Sequence, residues 1–501
     1  MKPRARVGLG IGVVAFGLLL LIPAPAGLSD AAWHTAAVGV LMATWWVTEA
    51  IPIPATALLP LALFPVLGIG SIGESAAPFA NPLIFLFLGG FLLAQAMQGV
   101  GLPRRIALDT IRLFGTRPGS VIGGIMAASA FLSMWVSNTA TALMMLPIGL
   151  SLIELLPGGA AGEGATGGDG SGPDGGASGW AGGEPEYSDR RRFGIALMLG
   201  IAYACSIGGM GTLIGTPPNA FLAGFMLETY GVSIGFAQWM LLGVPLVLVG
   251  LPLAWFILTR VVFPVPFAEI PGGQSLLDER RDGLGPLRPA EKRVAIVFVL
   301  TALAWMTRPL LQGWLPGLSD AGIAIGAAIV LFLVPAGEPD GRRLLTWRQA
   351  EATPWGVLIL FGGGLSLAAA IGRTGLGDWL GGQMESIAHW PLVLLVATVV
   401  AFVILLTELT SNTATAATFL PVLGALALAI GQDPLVLAVP AALAASGAFM
   451  LPVATPPNAI VYGSGAIEIT DMVRAGVWIN LLFTVLITAA SRLLLPLVFG
   501  V

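Results

Sequence analysis

The sequence predicts an all-α polytopic membrane protein, and three observations carry that prediction. Hydrophobic residues make up 56% of the chain and charged residues only 10%, against about 25% charged in soluble proteins. Apolar stretches long enough to cross a hydrocarbon core of about 30 Å as helices recur from end to end. Two polar motifs each occur twice inside apolar surroundings. The mean hydropathy of +0.90 overrides the two or three soluble domains that 501 residues would otherwise suggest. A net charge of −4, scattered along the chain, gives no footprint for nucleic acid. A single cysteine, Cys205, excludes an intramolecular disulfide and a cysteine metal cage. His34 and His389 are the only imidazoles available for zinc or catalytic relays.

Eleven spans follow in order, near 7–25, 33–51, 53–70, 82–100, 193–226, 236–260, 293–312, 319–336, 354–372, 435–463 and 473–499. Lys2, Arg4 and Arg6 precede the first, which reads as a retained helix rather than a cleaved signal peptide. The apolar stretches 119–156 and 388–430 are roughly twice a span in length, and each carries Ser-Asn-Thr near its middle. They read as re-entrant hairpins, because polar irregular backbone at that depth must line a cavity or be buried in protein. With the N-terminus cytoplasmic and the C-terminus extracytoplasmic, 20 of the 23 basic residues face inward, leaving Arg308, Arg373 and Arg492 outside. That asymmetry obeys the positive-inside rule for a multi-pass protein of the cell (inner or plasma) membrane.

The chain repeats itself. Ser137-Asn138-Thr139-Ala140-Thr141-Ala142 returns as Ser411-Asn412-Thr413-Ala414-Thr415-Ala416, 274 residues later. Thr216-Pro217-Pro218-Asn219-Ala220 returns as Thr455-Pro456-Pro457-Asn458-Ala459, 239 residues later. The mismatch locates an insertion in the first copy, Gly158 to Ser188, whose glycine-rich polar composition reads as a flexible cytoplasmic loop. Each copy holds five crossings and one hairpin. Five is odd, so the copies are inverted, an architecture that places transporter binding sites at the repeat interface near the midplane.

The motifs suit an anion and a small cation. Ser-Asn-Thr offers two hydroxyls and a carboxamide at a helix start, where free N–H groups and the positive dipole end favour an oxyanion. Two facing tips would hold both ends of a dianion. The bland alternative is that these residues merely cap helices. In Thr-Pro-Pro-Asn the prolines remove N–H donors and leave upstream carbonyls free as sodium ligands. Neither motif pair has Lys, Arg or His close to it in sequence. Moving two negative charges against the membrane potential costs about 4.6 kcal/mol per 100 mV, so mobile cations are expected to accompany them. Glu49 and Glu408 are the main membrane acids, and Glu408 reads as a neutralised or hydrogen-bonded structural carboxylate rather than a proton carrier. A channel would not require paired closed-ended hairpins, and a hydrolase built on Ser137 or Ser411 lacks a nearby base.

Nearly the whole chain resembles the divalent-anion:sodium symporter family, the sodium–dicarboxylate and citrate cotransporters. The likeness rests on both repeated motif pairs, on Trp45-Trp46-Val47-Thr48-Glu49-Ala50-Ile51-Pro52 and on Gly101-Leu102-Pro103-Arg104-Arg105-Ile106-Ala107-Leu108. It implies a homodimer working as an elevator. The scaffold would comprise 1–118 and 293–387. The transport domain would comprise the inward-side hairpin 119–157, spans within 193–263, the outward-side hairpin 388–430, and 431–501. Cytoplasmic segments 158–192 and 264–292 would connect these parts. The resemblance further implies one sodium site at Ser133, Ser137, Asn138 and Gly215, and a second at Thr407, Thr410, Asn412 and Ala454. Substrate carboxylates would lie on Ser137, Asn138, Thr139, Ser411, Asn412 and Thr413, beside Thr216, Pro217, Thr455 and Pro456. The expected activity is Na⁺-driven import of succinate, malate or fumarate; citrate or sulfate cargo, or sodium-independent exchange, are the alternatives within the same fold.

Overall fold

The computed structural model describes residues 3–156, 185–265, 270, 272–339, 341–383 and 390–501. Among these the chain is helical, with no β structure beyond one isolated bridge between Pro335 and Arg343. Eight helices are long and apolar enough to cross a membrane, and six shorter apolar helices accompany them. Most of the glycine-rich segment, together with Lys2 and His389, lies outside the described residues.

Two helices open the chain, α1 (Pro3–Leu21) and α2 (Asp30–Thr48), packed on each other. Ser29 caps α2 by accepting the Ala32 N–H at 3.2 Å, and Glu49 ends it in the left-handed region, exposed to the surroundings rather than buried. The expected span 53–70 is two short helices, α3 (Ile53–Thr56) and α4 (Leu59–Val66). Pro52, Pro54 and Pro60 explain this, since each lacks the N–H that would continue a helix. Next come α5 (Ile72–Ala76) and α6 (Pro82–Val100), the latter capped by Asn81 at the Leu83 N–H. Gly101, at φ 79°, then turns the chain into the amphipathic α7 (Leu102–Phe114).

The segment 119–156 divides into α8 (Pro118–Ser133) and α9 (Asn138–Glu154). The expected span 193–226 is likewise broken, into α10 (Pro185–Gly209) and α11 (Pro217–Tyr230). After α12 (Phe236–Phe256) and the linker helix α13 (Gly273–Asp282), the second half begins with α14 (Pro289–Leu311), α15 (Asp320–Leu333) and α16 (Trp347–Ala350). It continues through α17 (Trp355–Thr374) and α18 (Leu376–Gly382). The segment 388–430 divides into α19 (Leu392–Thr407) and α20 (Asn412–Ala429). The span 435–463 divides into α21 (Leu435–Ala445) and α22 (Pro456–Gly463), and α23 (Ile469–Leu493) and α24 (Leu495–Phe499) close the chain.

Packing shows how the two halves interlock. Within each half the first arm of the divided segment packs on the helix before the proline break: α8 on α10, α19 on α21. The second arms pack on both halves, α9 on α10 and α22, and α20 on α21 and α11. Each motif is therefore carried on elements held by both copies. The apolar stretch of α10 is 94% buried and that of α1 only 11%, so α10 is the axis of the fold and α1 its rim.

Charges tie the remaining joints. The buried Arg105 on α7 pairs with Glu291 at 3.2 Å and donates to the carbonyls of Leu284 and Gly285, fixing the linker between the halves. Arg308 pairs with Asp320 at 2.9 Å, and the other Asp320 oxygen accepts the Phe236 N–H at 3.0 Å, joining α14, α15 and the start of α12. Losing one partner of such a buried pair strands the other charge, which is far costlier than losing a surface pair.

Candidate functional site

Each divided segment turns through a non-helical link, 134–137 in the first and 408–411 in the second. Ser137 caps α9 by accepting the Ala140 N–H at 3.3 Å, whereas Ser411, in the same position on α20, makes no side-chain cap bond. Capping thus accounts for the first serine and not the second. Thr139 and Thr413 lie half-buried in the first turns that follow.

Behind each tip lies the same pair. Ser133 Oγ donates to Asn138 Oδ1 at 2.5 Å, and Thr407 Oγ1 donates to Asn412 Oδ1 at 2.8 Å. Both pairs are five residues apart, and the 274-residue repeat carries one onto the other. Thr407 Oγ1 also reaches the Ala445 carbonyl at 3.0 Å, where α21 ends. Thr410 Oγ1 contacts the Leu406 carbonyl at 3.0 Å and Thr415 Oγ1 at 2.6 Å. Its counterpart in the first half is Val136, so the two sites are not chemically equal.

The break between α10 and α11 closes onto the first pair. A Cβ at Gly215 would stand 2.4 Å from the Gly209 carbonyl oxygen, and a Cβ at Gly209 would stand 2.9 Å from Asn138 Oδ1. Only glycine at both positions permits this approach. Ser133, Asn138, Gly209 and Gly215 therefore converge. Ala454 occupies the equivalent place in the break before α22, where its N–H meets the Leu451 carbonyl at 3.3 Å.

Burial separates two classes of residue. Ser133, Gly215, Thr407, Thr410 and Ala454 are buried, while Ser137, Asn138, Thr139, Ser411, Asn412 and Thr413 are half-buried. The first class suits a small dehydrated ion and the second a solute that must enter. Thr216 Oγ1 meets Ser446 Oγ at 3.3 Å, a bond that crosses from one copy to the other. Thr455 Oγ1 instead accepts the Asn458 N–H at 3.3 Å and caps α22. Pro217 is half-buried and Pro456 exposed.

Two acids and one base qualify the expected electrostatics. Glu408 is a structural carboxylate: its oxygens accept the N–H groups of Phe449, Met450 and Leu451 at 2.7, 2.9 and 3.0 Å, and Asn480 Nδ2 at 2.8 Å. It therefore pins the second break to the second tip. Glu49 stands apart, exposed at the end of α2. The expectation that no fixed cation stands near the motifs needs correction. Arg4 donates to the Leu409 carbonyl at 3.0 Å, two residues before Ser411, and also to the Val47 carbonyl. Sequence distance hid it, because the two residues stand 405 positions apart.

Sequence reasoning also passed over Asn219, Asn458, Ser446 and Asn480. The two asparagines carried a signal, since they repeat within Thr-Pro-Pro-Asn; the other two lack any repeat partner of their own type.

Comparison with known proteins places this architecture. The model of the sodium:sulfate symporter transmembrane region matches residues 5–499. The chain is 44% identical over 499 residues to the sodium-dependent dicarboxylate transporter SdcS of Staphylococcus saprophyticus, covering 99% of this chain and 92% of that one. It is 42% identical, with the same coverage, to SdcS of Staphylococcus aureus strain USA300. Among solved structures, Neisseria gonorrhoeae MtrF aligns with a TM-score of 0.55 at 10% identity, covering 97% of this chain and 94% of that one. The Alcanivorax borkumensis YdaH transporter aligns at 0.50 with 15% identity, covering 99% and 97%. Those two share the fold alone. The match across nearly the whole length, together with the identity to the SdcS proteins, establishes that the chain belongs to the sodium:sulfate symporter family, the divalent-anion:sodium symporters.

Proposed function

We propose that this protein imports C4-dicarboxylates, namely succinate, malate and fumarate, in symport with Na⁺. The observation that carries the reading is the duplicated hydroxyl–carboxamide pair, Ser133–Asn138 and Thr407–Asn412. Each pair lies beneath a half-buried Ser-Asn-Thr tip and beside a proline-broken backbone. Neutral oxygens in buried surroundings favour a monovalent hard cation. Helix starts at the tips favour carboxylates. The names of the SdcS relatives support both halves of this assignment.

In this reading eleven helices cross the plasma membrane with the N-terminus cytoplasmic, and the two divided segments are re-entrant hairpins. Residues 1–118 and 293–387 form a dimeric scaffold, against which 119–157, 193–263 and 388–501 move as an elevator. Sodium binds at Ser133, Ser137, Asn138 and Gly215, and at Thr407, Thr410, Asn412 and Ala454. The dianion bridges the tips, Ser137 to Thr139 and Ser411 to Thr413, flanked by Thr216, Pro217, Thr455 and Pro456. Bound cations offset a negative charge that helix ends, at roughly +0.5 each, cannot neutralise alone.

Uptake into proteoliposomes tests the reading. Labelled succinate should accumulate under an inward Na⁺ gradient, and equal accumulation in choline buffer would remove sodium coupling. Competition by unlabelled succinate, citrate, sulfate and glutamate identifies the cargo; stronger displacement by citrate or sulfate than by succinate would overturn the C4 assignment.

A further inference from the structure

We propose that Asn219 and Asn458 are the positioning residues of the two sodium sites: each carboxamide clamps the unwound carbonyls that face the ion. The inference rests on the sodium-coupled reading above and assigns a role to side chains outside its ligand sets.

The geometry is duplicated in detail. Asn219 Nδ2 donates to the carbonyls of Gly209 at 3.2 Å and Thr212 at 2.9 Å, and approaches that of Met210 at 3.5 Å. Asn458 Nδ2 donates to the carbonyls of Ala448 at 3.2 Å and Leu451 at 3.0 Å. The principal acceptors lie ten and seven residues before the asparagine in both halves. The loops themselves differ in sequence, Gly209-Met210-Gly211-Thr212 against Ala448-Phe449-Met450-Leu451. Two unlike loops held in one pattern by the same residue type point to the clamp, not the loop sequence, as the shared requirement.

The prolines explain why a clamp is needed. Pro217 and Pro218, like Pro456 and Pro457, have no N–H to return to the carbonyls upstream. An asparagine in the first turn of the resumed helix supplies two donors in their place. The Gly209, Thr212 and Ala448 carbonyls each keep a second lone pair for a cation, while that of Leu451 also accepts the Ala454 N–H at 3.3 Å. In the first half the effect reaches the site directly, because Gly209 is the residue against which both Asn138 and Gly215 close.

Both asparagines are fully buried, and the Oδ1 of each has no hydrogen-bond partner among the described residues. An unsatisfied buried acceptor is costly. Its occurrence at the same position in both halves indicates that turning Nδ2 toward the loop outweighs satisfying Oδ1, and leaves an oxygen for a water or the ion itself.

The test separates ion affinity from folding. Asn219→Ala and Asn219→Leu remove the donors without adding charge, as do the same changes at Asn458. Each is expected to raise the sodium concentration for half-maximal succinate uptake at least tenfold, with the wild-type maximal rate regained at saturating sodium. The sodium-dependent rise in thermal midpoint, measured in detergent without substrate, should shift to higher sodium by the same factor, since stabilisation follows occupancy. Unchanged half-saturation in monodisperse variants overturns the proposal. So does a reduced maximal rate at every sodium concentration, or failure to recover any of the four variants in saturating sodium. If instead wild-type uptake and stability both ignore sodium, the sodium-coupled reading fails first and takes this inference with it.

Discussion

The Arg4 guanidinium donates to the Leu409 carbonyl at 3.0 Å, joining the rim helix α1 to the tip of the second divided segment. In the elevator reading this bond runs from scaffold to transport domain, so it must break whenever the domain moves. Arg4 is exposed, which keeps its contribution to that of a solvent-screened contact. Arg4→Gln should therefore shift the balance of conformers away from the one described here by about threefold, the equivalent of about 0.7 kcal/mol. Spin labels on the exposed Ile11 of α1 and Leu405 of α19, in a cysteine-free background, would report the change as a redistribution of distances. Identical distributions in the two proteins would show that the contact carries no conformational energy.

The paired hydroxyls yield a second prediction. Ser133 and Thr407 each orient the carboxamide oxygen of an asparagine and each stand in a proposed ligand set. Ser133→Ala and Thr407→Val should raise the sodium half-saturation of uptake about tenfold, because losing one buried oxygen and its hydrogen bond costs about 1.4 kcal/mol. Thr407→Val should be the more damaging, since Thr407 also bonds the Ala445 carbonyl and so helps seat the end of α21. Sodium titrations of initial rates decide this; equal half-saturation in both variants and wild type would exclude these hydroxyls from the sites.

Glu408 presents a different case, stability rather than affinity. Its carboxylate gathers three consecutive N–H groups and the Asn480 amide, fastening the break before α22 to the tip of the second divided segment and to α23. Glu408→Gln replaces one acceptor oxygen with an NH₂ that confronts those donors. The expected cost is about 2–4 kcal/mol, since hydrogen bonds to charged groups are worth about 1.5–3 kcal/mol and the abandoned donors stay buried. Thermal unfolding in detergent should show a clearly lowered midpoint, and Asn480→Leu a smaller drop. A wild-type midpoint in Glu408→Gln would mean that the ring of donors is satisfied elsewhere.

Much of this arrangement was readable from the residues because it is local. The tips declare themselves as polar triplets in apolar runs, and the breaks as Pro-Pro pairs. The repeat offsets match Ser133 with Thr407 and Gly215 with Ala454. The division of span 53–70 was also local, written in Pro52, Pro54 and Pro60, but a window of mean hydropathy averages prolines away. Non-local contacts left no such trace. Nothing near Leu409 in sequence announces Arg4, and nothing near Glu408 announces Asn480, 72 residues on. The asparagines at 219 and 458 fall between these cases. Their repetition was visible, but their function depends on a loop curling back seven to ten residues, which no periodicity encodes.

The closest backbone approach in the first site supplies the last prediction. Gly215 faces the Gly209 carbonyl so tightly that a methyl group would sit 2.4 Å from its oxygen, against backbone atoms rather than a yielding side chain. Gly215→Ala must therefore move one strand of the break away from the other. The Gly209 backbone cannot retreat freely, because its carbonyl is held by Asn219 and its other flank lies against Asn138. The displacement then falls on the carbonyl proposed to face sodium. Uptake should be lost at physiological sodium, while the protein remains folded and monodisperse, since the strain is confined to one loop of a fold stabilised mainly by helix packing. Ala454 already carries the methyl group in the second half, where Ala448 replaces Gly209 and the loop tolerates it. Ala454→Gly should accordingly leave uptake within about twofold of wild type, because the change removes one methyl group and keeps the backbone of that buried site. If Gly215→Ala transports normally, the first break is wider in the working protein than the approach of Gly209 and Gly215 implies, and the sodium site cannot depend on their contact.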